Sequence, residues 1–204
     1  MKKDNMTDYC LELRRKIPDV AMPLFKKRGI KAVRMDEIAS RLSISKRTLY
    51  EVYDNKEEVL LEGIKRDKAQ LDKRLEAYAR TADNEMDVLI EFLRHQMDDL
   101  RDVSPNYFVE ITKYGSVMQF LADDSEHRKA KALEFTARGV EHGFFIPNLN
   151  YDIFNIISDA MLEYTMKTQL YERFSMKEIM HTFVTILLRG CCTEKGRQLL
   201  DEVL

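Results

Sequence analysis

Thirteen residues near the N-terminus decide the fold of this chain: Ile38-Ala39-Ser40-Arg41-Leu42-Ser43-Ile44-Ser45-Lys46-Arg47-Thr48-Leu49-Tyr50. Apolar residues recur at helical spacing on both sides of a turn at Ser43-Ile44, and Ser45 is a favourable N-cap for the second helix. Two short helices joined by a turn of about three to four residues form a helix-turn-helix. The pattern puts Leu49 in the shared core and turns Lys46, Arg47 and Tyr50 outward.

The outward side chains are suited to DNA. An α-helix fits the major groove, where residues near its N-terminus reach base edges. Lys46 and Arg47 can neutralise phosphates, and the Tyr50 hydroxyl can donate a hydrogen bond to one. Thr48 lies at the flank, and Lys56 begins the next helix at a position suited to a backbone phosphate. The spacing alone leaves open a second interpretation, a structural helix pair with a solvated basic face.

Four stretches of the N-terminal segment match a known pattern: LFKKRG at 24–29, MDEIA at 35–39, ISKRTLY at 44–50 and VYDNKEE at 52–58. They lie within a segment, residues 17–61, that resembles the DNA-binding domain of the tetracycline-repressor-like (TetR) family of transcriptional regulators. The resemblance implies a dimeric, all-helical repressor with a small-molecule pocket in its C-terminal domain. The candidate DNA-binding residues are then Arg34, Ser45, Lys46, Arg47, Thr48, Tyr50 and Lys56.

Three features depart from the family pattern. Pro18 and Pro23 fall where the first helix should run unbroken, and each removes a backbone donor. We therefore expect a start near Ile17 or a kinked helix. Ser43 holds a turn position that is often glycine. Arg34 replaces the usual Ser or Thr cap before the second helix, and it adds a cation where the family often contacts phosphate.

Charge is divided unevenly along the chain. Of its 204 residues, 1–80 hold 20 Lys and Arg against 14 Asp and Glu, and 81–204 hold 13 against 21. The net charge of −2 therefore joins a +6 segment to a −8 segment, which suggests two functions in one chain. The alternative is a simple drift in the charge of helix surfaces. Only seven glycines and four prolines occur, which favours long helices over a sandwich or barrel.

The remaining chain has a helical pattern almost throughout. We predict helices at 56–80, 85–101, 105–121, 125–143, 151–172 and 175–191, with 144–146 as the one candidate for a strand. The polar stretch 81–85 marks the domain junction. The fold class is therefore all-α, with a three-helix helix-turn-helix domain at 1–58, a connecting helix from about 56 to 80, and a helical ligand-binding and dimerisation domain at 81–204.

The last two large helices are apolar on more than one face, which indicates burial on both sides. Two such helices per chain can form an intermolecular four-helix bundle, and the alternative is a central core helix in a monomer. The expected dimer interface is Ile157, Met161, Phe183 and Leu187. Methionine and aromatic residues can also line an adaptable apolar cavity, although any one of them can be ordinary core filling. The expected pocket is Phe92, Met97, Tyr114, Met118, Met161 and Tyr164.

The sequence shows no catalytic or metal-binding pattern. No HExxH, CxxC, GxSxG or P-loop occurs, and His127 and His142 are about 22 Å apart along their helix. Cys10, Cys191 and Cys192 indicate reduced thiols, with a redox role for the adjacent pair as the alternative. Neither a signal peptide nor a membrane-spanning segment is predicted. We expect a cytoplasmic protein that is not an enzyme and has no cofactor and no metal.

Together these patterns predict a sequence-specific DNA-binding regulator. We expect a homodimeric repressor that binds a near-palindromic site on double-stranded DNA and is released by a small apolar or aromatic effector. The alternative is a constitutive or protein-partnered helix-turn-helix regulator without a small-molecule ligand.

Overall fold

The computed structural model describes residues 8–100 and 102–201, except for the side chains of residues 126 and 127. The prediction that the N-terminus is not a signal peptide concerns residues 1–7, which lie outside this part. Within the described residues the chain is helical, without a named strand, and the predicted all-α class is confirmed. The helices are α1 (Asp8–Arg28), α2 (Met35–Arg41), α3 (Lys46–Val52), α4 (Lys56–Ala79), α5 (Glu85–Asp99), α6 (Pro105–Ile111), α7 (Gly115–Glu141), α8 (Tyr151–Lys167), α9 (Met176–Phe183), α10 (Arg189–Cys191) and α11 (Glu194–Asp201). A 3₁₀ turn, Leu170–Glu172, follows α8, and a π-helical turn, Val184–Leu188, joins α9 to α10.

Local capping chemistry sets several helix starts. Ser104 caps α6 with proline at its first turn, and Ser175 and Glu178 form a reciprocal capping box at α9. The predicted helix break at 122–124 is wrong, because α6 ends at Ile111 and α7 then runs through that region. Asp124 lies one turn before Arg128 and pairs with it at 2.8 Å. Such i,i+4 pairs support a helix through a polar stretch.

The chain forms two compact units. Of the described residues, one unit contains 8–70 together with 102–121, and the other contains 71–100 together with 122–201. The segment 102–121, assigned by the sequence to the second domain, thus packs with the first unit. Its anchors are backbone contacts: the Ser104 amide donates to the Lys26 carbonyl at 2.8 Å, and the Lys31 amide donates to Glu110 Oε2 at 2.7 Å. The functional division near residue 80 stays a prediction.

The first unit has a continuous apolar core. Phe25, Ile38 and Leu49 are fully buried, so α1, α2 and α3 share one interior. Gly63 on α4 allows close approach to α1, because a Cβ at that position would lie 2.3 Å from Met22 Cγ. Because α3 packs on this core through one face only, its opposite face remains accessible to solvent.

Helix α1 continues through both of its prolines. The expected start near Ile17 is wrong, since α1 begins at Asp8. Pro18 has no N–H to donate to the carbonyl four residues earlier, which belongs to Arg14. The buried Tyr53 hydroxyl donates to that carbonyl at 2.8 Å. A side chain from the end of α3 therefore replaces the missing helix hydrogen bond.

The second unit is built around a different cluster. Met86, Leu93, Phe144, Phe145, Val184, Cys191, Cys192 and Leu200 form its buried core. The strand candidate at 144–146 makes one isolated antiparallel bridge, Phe145 to Cys192, and the Ile146 amide donates to the Cys191 carbonyl at 2.9 Å. Cys10, Cys191 and Cys192 form no disulfide, and the adjacent pair is buried.

Candidate functional site

The turn of the helix-turn-helix is built by short-range hydrogen bonds. Arg34 precedes α2 in an extended conformation and provides no side-chain cap, as its sequence predicts. Ser43 adopts a left-handed conformation with φ of 55°, which explains why glycine is favoured at this turn position. Ser45 then caps α3, because its Oγ accepts from the Thr48 amide at 3.0 Å. The N-cap prediction is confirmed, and the Thr48 hydroxyl lies 2.8 Å from the same Oγ.

The outer face of α3 presents the predicted side chains to solvent. Lys46 and Arg47 are exposed, with the Arg47 side chain 88% accessible, and Tyr50 is 40% accessible. Leu49 and Val52 are buried on the opposite face. The Lys46 ammonium lies 6.0 Å from the centre of the Tyr50 ring, close enough for a cation–π contact. The helix therefore offers two cations and a phenol on one accessible surface.

Both cations of α3 pair with carboxylates that the sequence analysis did not assign to the site. Lys46 Nζ lies 2.9 Å from Asp36 Oδ1, and this hydrogen bond raises the pKa of the lysine. Arg47 Nε lies 3.0 Å from Glu51 Oε1, one turn further along α3. The i,i+4 spacing could have revealed the second pair. The first pair joins two helices and has no local sequence signal.

The Lys56 side chain holds the loop after α1 through contacts with backbone carbonyls. Its ammonium donates to the Ile30 carbonyl at 2.8 Å and lies 3.5 Å from the Lys31 carbonyl. Burial lowers the pKa of Lys56, and the Glu110 carboxylate opposes that shift. Its role on phosphate stays a prediction, because the structure shows a clamp on the loop at this position.

Asn55 caps the start of helix α4. Asn55 Oδ1 accepts from the Glu58 amide at 3.0 Å. Glu58 Oε2 accepts from the Asp54 amide, also at 3.0 Å, rather than from the cap residue itself. The arrangement differs from a capping box, because the Glu58 side chain bonds the amide of Asp54 rather than the amide of Asn55.

The second unit contains an apolar cavity of about 360 Å³. Helices α5, α7 and α8 and the π-helical turn supply its walls. Six aromatic side chains line it: Phe92, Phe135, Phe145, Tyr151, Phe154 and Phe183. Several hydroxyls in the wall are already engaged by the backbone, since Ser158 donates to the Phe154 carbonyl at 2.9 Å and Thr136 donates to the Leu133 carbonyl, also at 2.9 Å. Polar groups with longer reach also line it, among them Gln96, Arg128 and Asn155.

The structure brings only part of the expected pocket together. Phe92 and Met97 line the cavity, but the described lining does not include Tyr114, Met118, Met161 or Tyr164. Tyr114 and Met118 belong to the first unit. On α8 the cavity is lined by Phe154, Ser158 and Leu162, which follow i,i+4 spacing on a helix that is apolar nearly all round.

The outward face of α8 is apolar and accessible. Ile153, Ile156, Ile157, Met161 and Tyr164 are exposed there, and Ile186 on the π-helical turn is 65% accessible. Of the expected interface residues, Ile157 and Met161 lie on this face. Leu187 is half-buried, and Phe183 is half-buried and lines the cavity. Contiguous exposed apolar side chains are typical of surfaces that bind another protein.

Two other expectations concern metals and membranes. Across the described residues, no group of three or more His, Cys, Asp and Glu side chains could hold a metal ion. The side chain of His127, which is not expected to share a metal with His142, lies outside the described part. In the same part of the chain, the helices are too short or too polar to span a bilayer.

Comparisons with known proteins agree with this geometry. Residues 17–62 match the family model of bacterial regulatory proteins of the tetR family. A transcriptional regulator from Saccharomonospora viridis, solved with choline, is 20% identical over 90% of this chain and 100% of its own, with a TM-score of 0.68. RolR solved with resorcinol is 20% identical over 95% of both chains, with a TM-score of 0.59. A TetR-family regulator from Cytophaga hutchinsonii is 13% identical over 98% of both chains, with a TM-score of 0.64. Comparison with curated proteins finds no match.

The helix-turn-helix and these matches together define a DNA-binding transcriptional regulator. More narrowly, residues 17–62 match the DNA-binding domain of the tetR family, as the N-terminal motif indicates. Proteins of this family are regulators rather than enzymes.

Proposed function

We propose that the protein is a homodimeric repressor that leaves a near-palindromic operator when a small apolar or aromatic molecule occupies the cavity of its second unit. The observation that carries the DNA-binding part is the outer face of α3, where Lys46, Arg47 and Tyr50 are accessible while Leu49 is buried. Arg34 and Lys56 add backbone phosphate contacts, and Ser45 and Thr48 hold the start of α3 at the groove.

Dimerisation supports the choice of a palindromic site. The apolar face of α8, with Ile156 at 64% accessibility, is the surface that a second copy would cover. A two-fold dimer places two recognition helices in successive major grooves, so its site repeats with opposite polarity about one helical turn apart. Each mismatch at a contacted base should cost about 1–3 kcal/mol.

The cavity supports an effector with a flat apolar body. Six aromatic side chains line about 360 Å³, which is within the usual range of roughly 300–1,000 Å³ for small-molecule sites. The similar structures solved with choline and resorcinol carry small ligands of this size class. An effector that prefers the conformation with lower DNA affinity weakens binding by its differential affinity, typically about 1–3 kcal/mol.

The effector hypothesis can be tested with two matched alanine substitutions on α7. Ala132 lines the cavity, whereas Ala130 is exposed on the same helix. Compounds including resorcinol and choline are screened for release of the protein from selected DNA. Ala132→Trp should abolish release by any active compound and keep DNA binding, while Ala130→Trp should respond as the unmodified chain does. If active compounds release Ala132→Trp equally well, the cavity is not the effector site.

The same screen addresses the alternative of a regulator without a small-molecule ligand. Selection of bound sequences from random duplex DNA first establishes whether the protein binds specifically. A protein that selects a palindrome but is released by no compound, while its cavity accepts none in thermal-shift assays, would favour the constitutive or protein-partnered regulator.

A further inference from the structure

The accessible face of the recognition helix is electrically balanced. Lys46 pairs with Asp36 at 2.9 Å, and Arg47 pairs with Glu51 at 3.0 Å. All four side chains are more than half accessible. The surface that should meet the most negatively charged partner in the cell therefore presents two anions beside its two cations.

Carboxylates are a poor choice for binding phosphates. Each one repels the DNA backbone and lowers the sequence-independent attraction that cations supply. A carboxylate in the major groove has one good partner, the exocyclic N4 amine of cytosine, from which Glu and Asp accept hydrogen bonds. Adenine offers its N6 amine beside the N7 acceptor, which would repel a carboxylate. A carboxylate that enters the groove therefore selects cytosine.

Of the two carboxylates, Glu51 is the one placed to enter the groove. It lies on α3 itself, one turn beyond Arg47. Asp36 lies in the first turn of α2, outside the recognition helix, and accepts a hydrogen bond from Lys46. Arg47 is the most accessible of the four side chains, and arginine binds guanine O6 and N7 in a bidentate manner. The Arg47–Glu51 pair thus combines a guanine donor set with a cytosine acceptor at adjacent positions.

We propose that Glu51 is a base-selecting residue whose carboxylate accepts a hydrogen bond from the N4 amine of a cytosine in each half-site, while Arg47 binds guanine in the same or the neighbouring base pair. This rests on the proposed DNA-binding function of α3. The negative charge has a second consequence, which is weaker binding to unrelated DNA. Glu51 thereby raises the ratio of specific to non-specific affinity in two ways: it strengthens binding to the selected site and weakens binding to unrelated DNA.

A purely supporting role for Glu51 makes a different prediction. If the carboxylate only holds the Arg47 guanidinium, its removal should relax the preference for guanine and leave cytosine preference to other residues. Glutamine separates the two roles, because Gln binds adenine through N6 and N7. A base-selecting Glu51 replaced by glutamine should therefore change the preferred base.

The experiment selects bound sequences from random duplex DNA with the full-length protein, Glu51→Gln, Glu51→Ala and the control Glu12→Gln. Glu12 forms an equivalent i,i+4 pair with Lys16 at 2.5 Å on α1, outside the helix-turn-helix. Affinities are then measured by fluorescence anisotropy at fixed salt, on the selected duplex and on duplexes with that cytosine replaced.

Glu51→Gln should move the preference at one half-site position from cytosine to adenine. Glu51→Ala should reduce discrimination at that position roughly tenfold and bind unrelated DNA more tightly, and Glu12→Gln should select the original site. Unchanged cytosine preference in both Glu51 variants, or loss of guanine preference alone, would overturn the proposal. If the unmodified protein selects no sequence at all, it is the proposed function that fails.

Discussion

The hydroxyl of Tyr53 completes α1 where Pro18 interrupts its hydrogen bonding. Pro18 cannot donate to the Arg14 carbonyl, and Tyr53 donates to it instead at 2.8 Å. Burial raises the pKa of Tyr53 above its ordinary value of 10.0, so the hydroxyl keeps its proton and can donate at neutral pH. Replacing Tyr53 with phenylalanine removes this one hydroxyl and keeps the ring that fills the core.

The expected cost follows from the orphaned carbonyl. A buried acceptor without a partner costs about 1–3 kcal/mol. In a protein of this length, each kcal/mol corresponds to a decrease of roughly 2–4 °C in the melting temperature. Tyr53→Phe should therefore lower the melting temperature by roughly 2–12 °C in thermal unfolding followed by far-ultraviolet circular dichroism, and urea unfolding should show the same loss of stability.

Pro18→Ala provides the decisive comparison, because alanine restores the backbone N–H that the Arg14 carbonyl lacks. In the Pro18→Ala background, Tyr53→Phe should cost at least about 1 kcal/mol less than it does in the original chain, as a double-mutant cycle would measure. Equal costs in the two backgrounds would refute the argument that Tyr53 compensates for the proline.

Three further outcomes are expected. Ser43→Gly should stabilise the chain by up to about 1 kcal/mol in urea unfolding, because the left-handed conformation strains serine by about 1–2 kcal/mol. Part of this gain is lost because glycine increases the conformational entropy of the unfolded chain. Ser43→Ala should give no gain, and a gain equal to that of glycine would contradict the strain. Hydrogen bonds from the Ser116 side chain and amide lower the pKa of Glu57 below 4.5. The stability that they contribute is therefore present above pH 4.5 and is lost as the pH falls through the lowered pKa. Glu57→Gln should make the free energy of unfolding depend less on pH in this range, and an unchanged pH dependence would exclude the contact as its cause. Ile157→Asp, on the exposed face of α8, should give a monomer in sedimentation at micromolar concentration, whereas the control Glu163→Ala should remain a dimer; a dimer in both would place the interface elsewhere.

Local chemistry made much of the fold predictable. Ser45 and Asn55 each act within three residues along the chain, so their caps follow from the sequence alone. The continuation of α1 did not follow, because Tyr53 is separated from Arg14 by 39 positions. The sequence of α1 alone cannot indicate that a hydroxyl from the end of another helix donates to one of its carbonyls.

The candidate sites show the same limit. The outward set on α3 was predictable because one face of a short helix is apolar and the other is polar. Helix α8 offered no such contrast: Ile157 faces solvent and Phe154 lines the cavity, yet both are apolar. The pairing of Lys46 with Asp36 depends on how α2 and α3 pack, which the spacing of residues along the chain does not specify.

Equilibrium binding to selected DNA tests the central claim most directly. The unmodified protein and Arg47→Ala/Tyr50→Ala are titrated, at several salt concentrations, onto the selected duplex and onto a scrambled duplex of the same composition. The unmodified protein should prefer the selected duplex by at least about 10³-fold, and the double variant should lose most of that preference while circular dichroism shows an intact fold. Equal affinity of the unmodified protein for both duplexes, or a double variant that keeps the full preference, would contradict the assignment of α3 as the recognition helix.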